Sequence, residues 1–260
     1  MENLQNTGFL KKQYKNANNL NRRISIHDKY STNKIGFGNW IFSKYDILPN
    51  SLILELGCGT GDMWKNNLDR IKNGSKLVLT DFSEGMLESA QKNLSADKNI
   101  IFELVDIQNI PYDDESFDIV IANMMLYHVP DLNRGLLEVM RVLKPNGKFY
   151  CATFGENGIV EYIEDALKEF NIAKTQNNTF TLQNGSCKLS KYFKHVERLN
   201  YEDSLEVTDT NDIVDYIYSL QNMININNIE YETMKKVLES KKKNGILNIP
   251  KEYGLFVCTK

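Results

Sequence analysis

Between residues 51 and 154 short apolar runs alternate with helical stretches, and no other feature of the chain restricts its fold so strongly. S-L-I-L-E-L (51–56) reads as a buried strand, and the glycines behind it lead into a helix over 62–71. K-L-V-L-T-D (76–81) is a second strand, followed by a helix over 83–94 with Ser83 as N-cap and Glu84 in its first turn. N-I-I-F-E-L-V-D (99–106) and F-D-I-V-I-A-N (117–123) are the third and fourth strands. In 131–143, Leu132, Leu136, Val139, Met140 and Leu143 share one helical face. The turn K-P-N-G (144–147) then opens a fifth strand, K-F-Y-C-A-T-F. This rhythm predicts a parallel sheet with helices on both faces, an α/β architecture. Ligands of such sheets sit at the carboxyl ends of the strands, where the strand order reverses.

The last third is less regular. It predicts a helix over 158–170, a strand over 195–201, helices over 210–220 and 231–243, and a final strand, Y-G-L-F-V-C-T (253–259). The helix pair interrupts a closing hairpin, so residues of about 203–249 read as an insertion over one sheet edge, placed to form part of a lid. Ahead of the sheet, residues 1–45 form an arm or cap with one helix, 33–45, carrying Ile35, Trp40, Ile41 and Phe42. Lys11, Lys12, Lys15, Arg22, Arg23 and Lys29 face only Glu2 and Asp28 before residue 31, which reads as a solvated segment. The expected division is an arm (1–45) and one catalytic domain (46–260), with a cofactor-binding half over 50–155.

Composition narrows the function classes. A chain of 260 residues that is 42% hydrophobic can bury the core of one large domain. Its net charge of -3 carries no footprint for nucleic acid. Cys58, Cys151, Cys187 and Cys258 are far apart, with no paired histidines, so neither a metal site nor a disulfide framework is expected. The N-terminus lacks the apolar core of a signal peptide, and the longest apolar run, 119–125, is too short to span a bilayer. The expectation is a cytoplasmic protein without membrane insertion.

The chemistry concentrates in I-L-E-L-G-C-G-T-G-D (53–62). Gly57, Gly59 and Gly61 mark a strand-to-helix turn in which backbone can approach a ligand closely. A dinucleotide fingerprint G-x-G-x-x-G would need its third glycine at position 62, and that residue is Asp. Glu55 and Asp62 flanking the loop would repel a pyrophosphate but favour a ligand with ammonium and sulfonium groups, such as S-adenosylmethionine. Asp81, twenty residues after Gly61, is placed to accept hydrogen bonds from two ribose hydroxyls, a device shared with NAD sites. At the end of the third strand the Asp106 carboxylate suits an adenine amino group, with Ile107 packing on the ring.

Taken together, E-L-G-C-G-T-G, T-D-F-S-E-G-M-L, V-D-I, I-P-Y-D-D-E-S-F-D-I-V and L-K-P-N-G-K-F, in unbroken order over roughly residues 50–155, resemble the class I S-adenosylmethionine-dependent methyltransferases. The likeness is strongest to the type-11 methyltransferase group, which includes the ubiquinone/menaquinone C-methyltransferases and the malonyl-carrier-protein O-methyltransferases. The resemblance implies a Rossmann-like, seven-stranded sheet of order 3-2-1-4-5-7-6 with strand 7 antiparallel. It also implies S-adenosyl-L-methionine as methyl donor and S-adenosyl-L-homocysteine as product. By position, Glu55, Gly57, Cys58, Gly59 and Gly61 would line the methionine and ribose side. Asp81 would take the ribose, Phe82 and Met86 would flank the adenosine, Asp106 and Ile107 would bind adenine, and Asn123 would sit near the methionine moiety.

The acceptor is a small molecule in this reading, methylated on oxygen, nitrogen, carbon or sulfur. Asn123-Met124-Met125-Leu126 stands where methyltransferases of exocyclic or amide nitrogen often carry Asn/Asp-Pro-Pro-aromatic, which argues against a DNA-base or glutamine N-methyltransferase. His128 and Tyr127 can supply a base and a phenol near the methyl group; the alternative is that His128 closes the turn before Val129-Pro130. Met124 and Met125 read first as core packing, with Met124 also a substrate-pocket candidate. In many relatives the segment before strand 1 completes the pocket, which makes His27, Tyr30, Ser31, Asn33 and Trp40 candidates. An NAD(P)-dependent oxidoreductase and a non-catalytic S-adenosylmethionine-binding protein remain as the competing readings.

Overall fold

The computed structural model describes residues 18–260 except 66, 72–73, 95–98, 173–177, 221–225 and 227–228. Five strands run β1 (Leu52–Leu56), β2 (Lys76–Asp81), β3 (Ile100–Leu104), β4 (Phe117–Ile121) and β5 (Leu143–Phe154), and β6 (His195–Val207) and β7 (Leu247–Thr259) close the sheet. The order is β3-β2-β1-β4-β5-β7-β6, with β7 antiparallel to both neighbours and β1 to β5 parallel. This is the seven-stranded, Rossmann-like sheet that the resemblance implies. β1 lies inside the sheet between β2 and β4, which is why its sequence is apolar on both faces: Leu54 and Leu56 pack with Val78, Val120 and Phe149, while Ile53 packs on the other side with Leu77, Ile119 and Trp64.

The helices that cover these faces are α1 (Asn18–Tyr30), α2 (Phe37–Phe42), α3 (Asp62–Lys65), α4 (Glu84–Leu94), α5 (Leu132–Val142), α6 (Ile159–Ala166), α7 (Gly185–Leu189), α8 (Thr210–Ser219) and α9 (Tyr231–Ser240). The α5 boundary follows from capping: the Asp131 carboxylate accepts the Arg134 N–H at 3.0 Å, and Leu136, Val139 and Val142 are buried below it. The Glu138 carboxylate, on the same helix, is held below its usual range by the Arg141 guanidinium.

Several elements differ from the sequence reading. The helix expected over 33–45 shrinks to Phe37–Phe42, because residues 31–33 are stitched to the edge of β6 instead. Ser31 bridges Leu205, the Thr32 N–H donates to Ser204 O at 2.9 Å, and the Asn33 N–H donates to the Asp203 carboxylate at 2.9 Å. Gly36, at φ 79°, turns the chain from that stitch into α2. The helix expected over 62–71 is one turn, Asp62–Lys65, followed by a 3₁₀ turn at Leu68–Arg70. Residues 18–30 are helical rather than a solvated segment, with Ile26 and Tyr30 buried one turn apart. Lys11, Lys12 and Lys15 lie outside the described residues.

The terminal hairpin is longer than expected. β6 and β7 stay paired for thirteen positions, from His195↔Thr259 to Val207↔Leu247, so the helical excursion is confined to residues 208–246. β5 stops at Phe154↔Tyr253 and the Gly155 N–H reaches Glu252 O just beyond, so among the described residues the rest of the outer half of β7 pairs with β6 alone and Pro250 needs no second ladder partner. On that outer half α1, α6, α8 and α9 build a core of their own, joining Ile26, Ile163, Leu205, Ile217, Leu238 and Ile249. The two regions that the sequence places at opposite ends of the chain thus form one cap over the carboxyl edge of the sheet.

Candidate active site

A cavity of about 1050 Å³ opens at the carboxyl ends of β1, β2 and β4 and runs beneath the cap. Its volume reaches the top of the range usual for a single small ligand, so it can take a cofactor and an acceptor side by side. The glycine loop forms one wall. Gly57, Gly59 and Gly61 all have positive φ (71°, 58° and 73°). A Cβ on Gly57 would press on the Met125 side chain at 3.0 Å. Gly61 is absent from the lining; a Cβ there would strike Leu94 at 2.7 Å, so this glycine lets α4 pack against the loop.

Two carboxylates organise the loop. Asp81 ends β2 and accepts the Gly59 N–H at 2.9 Å and the Ser83 N–H at 2.8 Å, one on each oxygen. Asp81 lines the cavity, and its carboxylate oxygens keep lone pairs beyond these two bonds. Glu55 is buried at the end of β1, where the Trp64 indole N–H donates to it. Burial, reinforced by the nearby Asp81 charge, pushes its carboxyl up to about 7 despite that hydrogen bond. Trp64, a fully buried residue nine positions on, was invisible as a site residue; only its place in the turn after the glycines could have pointed to it.

Cys58, Phe82, Met86, Asp106, Ile107 and Asn123 also line this half. Burial raises the Cys58 thiol well above its usual range. The Asp106 carboxylate accepts the Gln108 N–H at 2.9 Å, which folds the loop after β3 back on itself. Asn123 is braced: its amide donates to Tyr45 Oη at 2.7 Å and accepts the Ala152 N–H at 3.2 Å, tying the end of β4 to the segment before β1. Met124 follows with φ 54°, a left-handed conformation rare for its type, and turns its side chain to the cavity.

The other half lies under the cap. Tyr127 and His128, in the 3₁₀ turn Leu126–His128, line it with their rings 4.4 Å apart. His27, Ser31 and Asn33 line it from the arm. Tyr30 and Trp40 do not. Tyr30 points away to donate to Asp212 on α8, and Trp40 stacks behind Phe37, which takes the cavity face instead. Tyr216, Lys251 and Tyr253, which the sequence reading passed over, complete this half. Among the described residues no cluster of three or more His, Cys, Asp or Glu is placed to hold a metal ion, and no helix is long and apolar enough to cross a membrane.

Comparison with known proteins decides the family. Residues 54–151 match the methyltransferase domain model. Over 189 residues the chain is 34% identical to the ubiquinone/menaquinone biosynthesis C-methyltransferase of Rickettsia rickettsii, covering 65% of this chain and 75% of that one. The chain belongs to the class I S-adenosylmethionine-dependent methyltransferases. A demethylmenaquinone methyltransferase of Lactobacillus johnsonii is 33% identical over 143 residues, 52% of this chain and 59% of its own. Among solved structures, a candidate methyltransferase of Bacillus halodurans superposes with a TM-score of 0.60 at 15% identity, covering 86% of this chain and 98% of that one. A Haemonchus contortus phosphoethanolamine N-methyltransferase, solved with S-adenosylhomocysteine, gives 0.54 at 15% identity, with 86% and 52% covered. The loop fits the methyl donor of this family. Its bare backbone admits close approach at Gly57 and Gly59, and its buried and half-buried carboxylates suit a cation and a pair of hydroxyls.

Proposed function

We propose that this methyltransferase acts on a small molecule held beneath the cap, between Tyr127, His128 and the arm. The observation that carries the reading is the continuity of one cavity from the glycine loop to the cap. The bound donor supplies a methyl group on a sulfonium centre. In the proposed assignment Glu55 provides negative charge at the methionine side, Asp81 accepts from the ribose hydroxyls, Phe82 and Met86 flank the adenosine, and Asp106 with Ile107 receive adenine. Cys58 lies in the loop wall between Gly57 and Gly59. Asn123 and Met124 hold the end of β4 in the shape that the methionine side requires.

Alignment of the acceptor about 3 Å from the methyl group, in a site closed to water, does most of the catalytic work. The buried Tyr127 ring and Phe154, 4.6 Å away, wall that region against solvent. His128 lines the cavity beside Tyr127, where its imidazole is the group placed to take a proton from an acceptor that carries one. Incubation with S-adenosylmethionine and a soluble-metabolite extract is expected to produce S-adenosylhomocysteine above the extract-free rate, and His128→Asn to slow it. Cofactor binding without product in any extract would contradict the reading.

Glu55 adds a pH dependence. A cationic ligand binds its ionised form, so affinity for S-adenosylmethionine is expected to rise as pH climbs through about 7 and then level off. Below that point binding must expel a proton, and affinity falls by up to about tenfold per pH unit. Calorimetry at pH 6 in buffers of different ionisation heat would register the released proton, and Glu55→Gln should flatten the profile. A parent profile flat from pH 5.5 to 8 would remove Glu55 from the cofactor site.

A further inference from the structure

The cap half of the cavity holds a group of polar atoms that the fold itself does not use. His27 on α1, Tyr216 on α8 and Tyr253 on β7 all line it, with the His27 ring edge-on to Tyr216 at 6.1 Å and to Tyr253 at 5.9 Å. Neither phenol oxygen hydrogen-bonds to a described residue, and neither is sealed from the cavity. Nδ1 of His27 is buried without a partner among the described residues, whereas Nε2 is accessible. A buried orphan N–H is rarer than a buried orphan lone pair, so the proton belongs on Nε2. Three side chains from three separate elements therefore present donors to the same space.

The charges nearby are already committed. The Lys251 ammonium is paired with Asp203 and donates to Ser31 Oγ at 2.9 Å. Arg23 donates to Ser219 O at 3.3 Å, and the Glu252 carboxylate accepts from Asn157 N at 2.8 Å and Gln183 Nε2 at 2.7 Å. Asp28 and Lys34 are exposed at the rim. The three donors stay uncharged at ordinary pH. Burial and the Lys251 charge pull His27 down to about 3, and burial pushes Tyr216 up to about 12 and Tyr253 well above its usual value. With Lys251 matched by Asp203 and Arg23 held at Ser219, this end of the cavity presents chiefly neutral donors for oxygen.

We infer that His27, Tyr216 and Tyr253 form a recognition site for the distal end of the methyl acceptor, and that the acceptor is an uncharged molecule presenting carbonyl, ether or hydroxyl oxygen there. The inference rests on the proposed acceptor position beneath the cap. It assigns Tyr216 and Tyr253 a role in specificity, and it makes His27 a neutral donor beside them. A carboxylate or ammonium at the same end would lose its hydration among side chains that are mainly neutral.

Matched fragments test this on the full chain saturated with S-adenosylhomocysteine, by ligand-observed NMR. Acetophenone, benzoate and benzylammonium share a ring and differ in the end group. Acetophenone is expected to bind at least about tenfold more tightly than the other two. Tyr216→Phe, Tyr253→Phe and His27→Phe each keep a ring in place and remove a donor. Each should weaken acetophenone roughly three- to tenfold, with S-adenosylhomocysteine affinity and melting temperature unchanged. Benzoate or benzylammonium binding as tightly, acetophenone failing to bind at millimolar concentration, or its binding surviving the triple variant would overturn the inference. If the parent fails to bind S-adenosylhomocysteine, the proposed function falls first; if it binds and the fragments rank the other way, the recognition site alone is wrong.

Discussion

Asp81→Ala is expected to weaken S-adenosylhomocysteine binding by roughly 10²- to 10⁴-fold while the fold survives. The carboxylate sits at the end of β2 with one oxygen on the Gly59 N–H and the other on the Ser83 N–H. It therefore does two things: it holds the glycine loop against the start of α4, and it offers its remaining lone pairs to the ribose hydroxyls of the proposed site. Hydrogen bonds to a charged group contribute about 1.5–3 kcal/mol each, so losing two removes roughly 3–6 kcal/mol of binding. The two freed N–H groups lie at a cavity wall that water reaches, which limits the cost to stability. Asp81→Asn should fall between parent and alanine variant, since an amide accepts through one oxygen only. Calorimetric affinities within threefold of the parent would show that Asp81 serves the loop and not the ligand.

Lys251→Met is expected to cost about 3–5 kcal/mol of stability, read as a lower urea midpoint. Lys251 and Asp203 face each other across β6 and β7 with side chains 2% and 0% exposed. Burial alone would raise the Asp203 carboxyl, but the hydrogen bonds from Lys251 and the Asn33 N–H outweigh it and hold the group below its usual range. Removing the lysine leaves a buried carboxylate without its counter-ion. The deficit should shrink as pH falls and Asp203 takes up a proton, because the neutral acid no longer needs the pair. Asp203→Leu combined with Lys251→Met should recover most of the loss. The pair also fixes the arm, through Ser31 Oγ on the lysine and the Thr32 and Asn33 contacts on the aspartate. A midpoint unchanged in the single variant would mean that the arm is held by its backbone bridge to β6 alone.

The cofactor half of the fold was legible because its signals are local. Each of β1, β2 and β4 is apolar on both faces and ends in glycine, acid or asparagine, so the strand, its terminus and the side chain at the ligand edge can be read from a few consecutive residues. The cap was not legible, for the opposite reason. The outer half of β7, N-I-P-K-E (248–252), reads as a loop because Pro250 and two charges interrupt it; its pairing with β6 makes it a strand. Tyr30 was drawn toward the pocket by its polar neighbours in sequence, yet its direction is set by Asp212, 182 residues away. Trp40 reads as a pocket candidate for the same reason, yet Tyr201 and Phe37 form the layer into which its indole packs. Tyr216 and Tyr253 lie in helix and strand patterns that read as ordinary core, and only the crossing of α1 over the hairpin brings them to His27.

The most direct test of the sulfonium-cofactor site is a calorimetric titration of the parent chain with S-adenosylhomocysteine and, separately, with NADH. Saturable one-to-one binding of the first with no detectable heat from the second is the expected result. It follows from an acid at position 62 in place of a third fingerprint glycine, and from Glu55 and Asp81 facing the loop. NADH binding at equal or higher affinity, or no binding of S-adenosylhomocysteine at all, would contradict it.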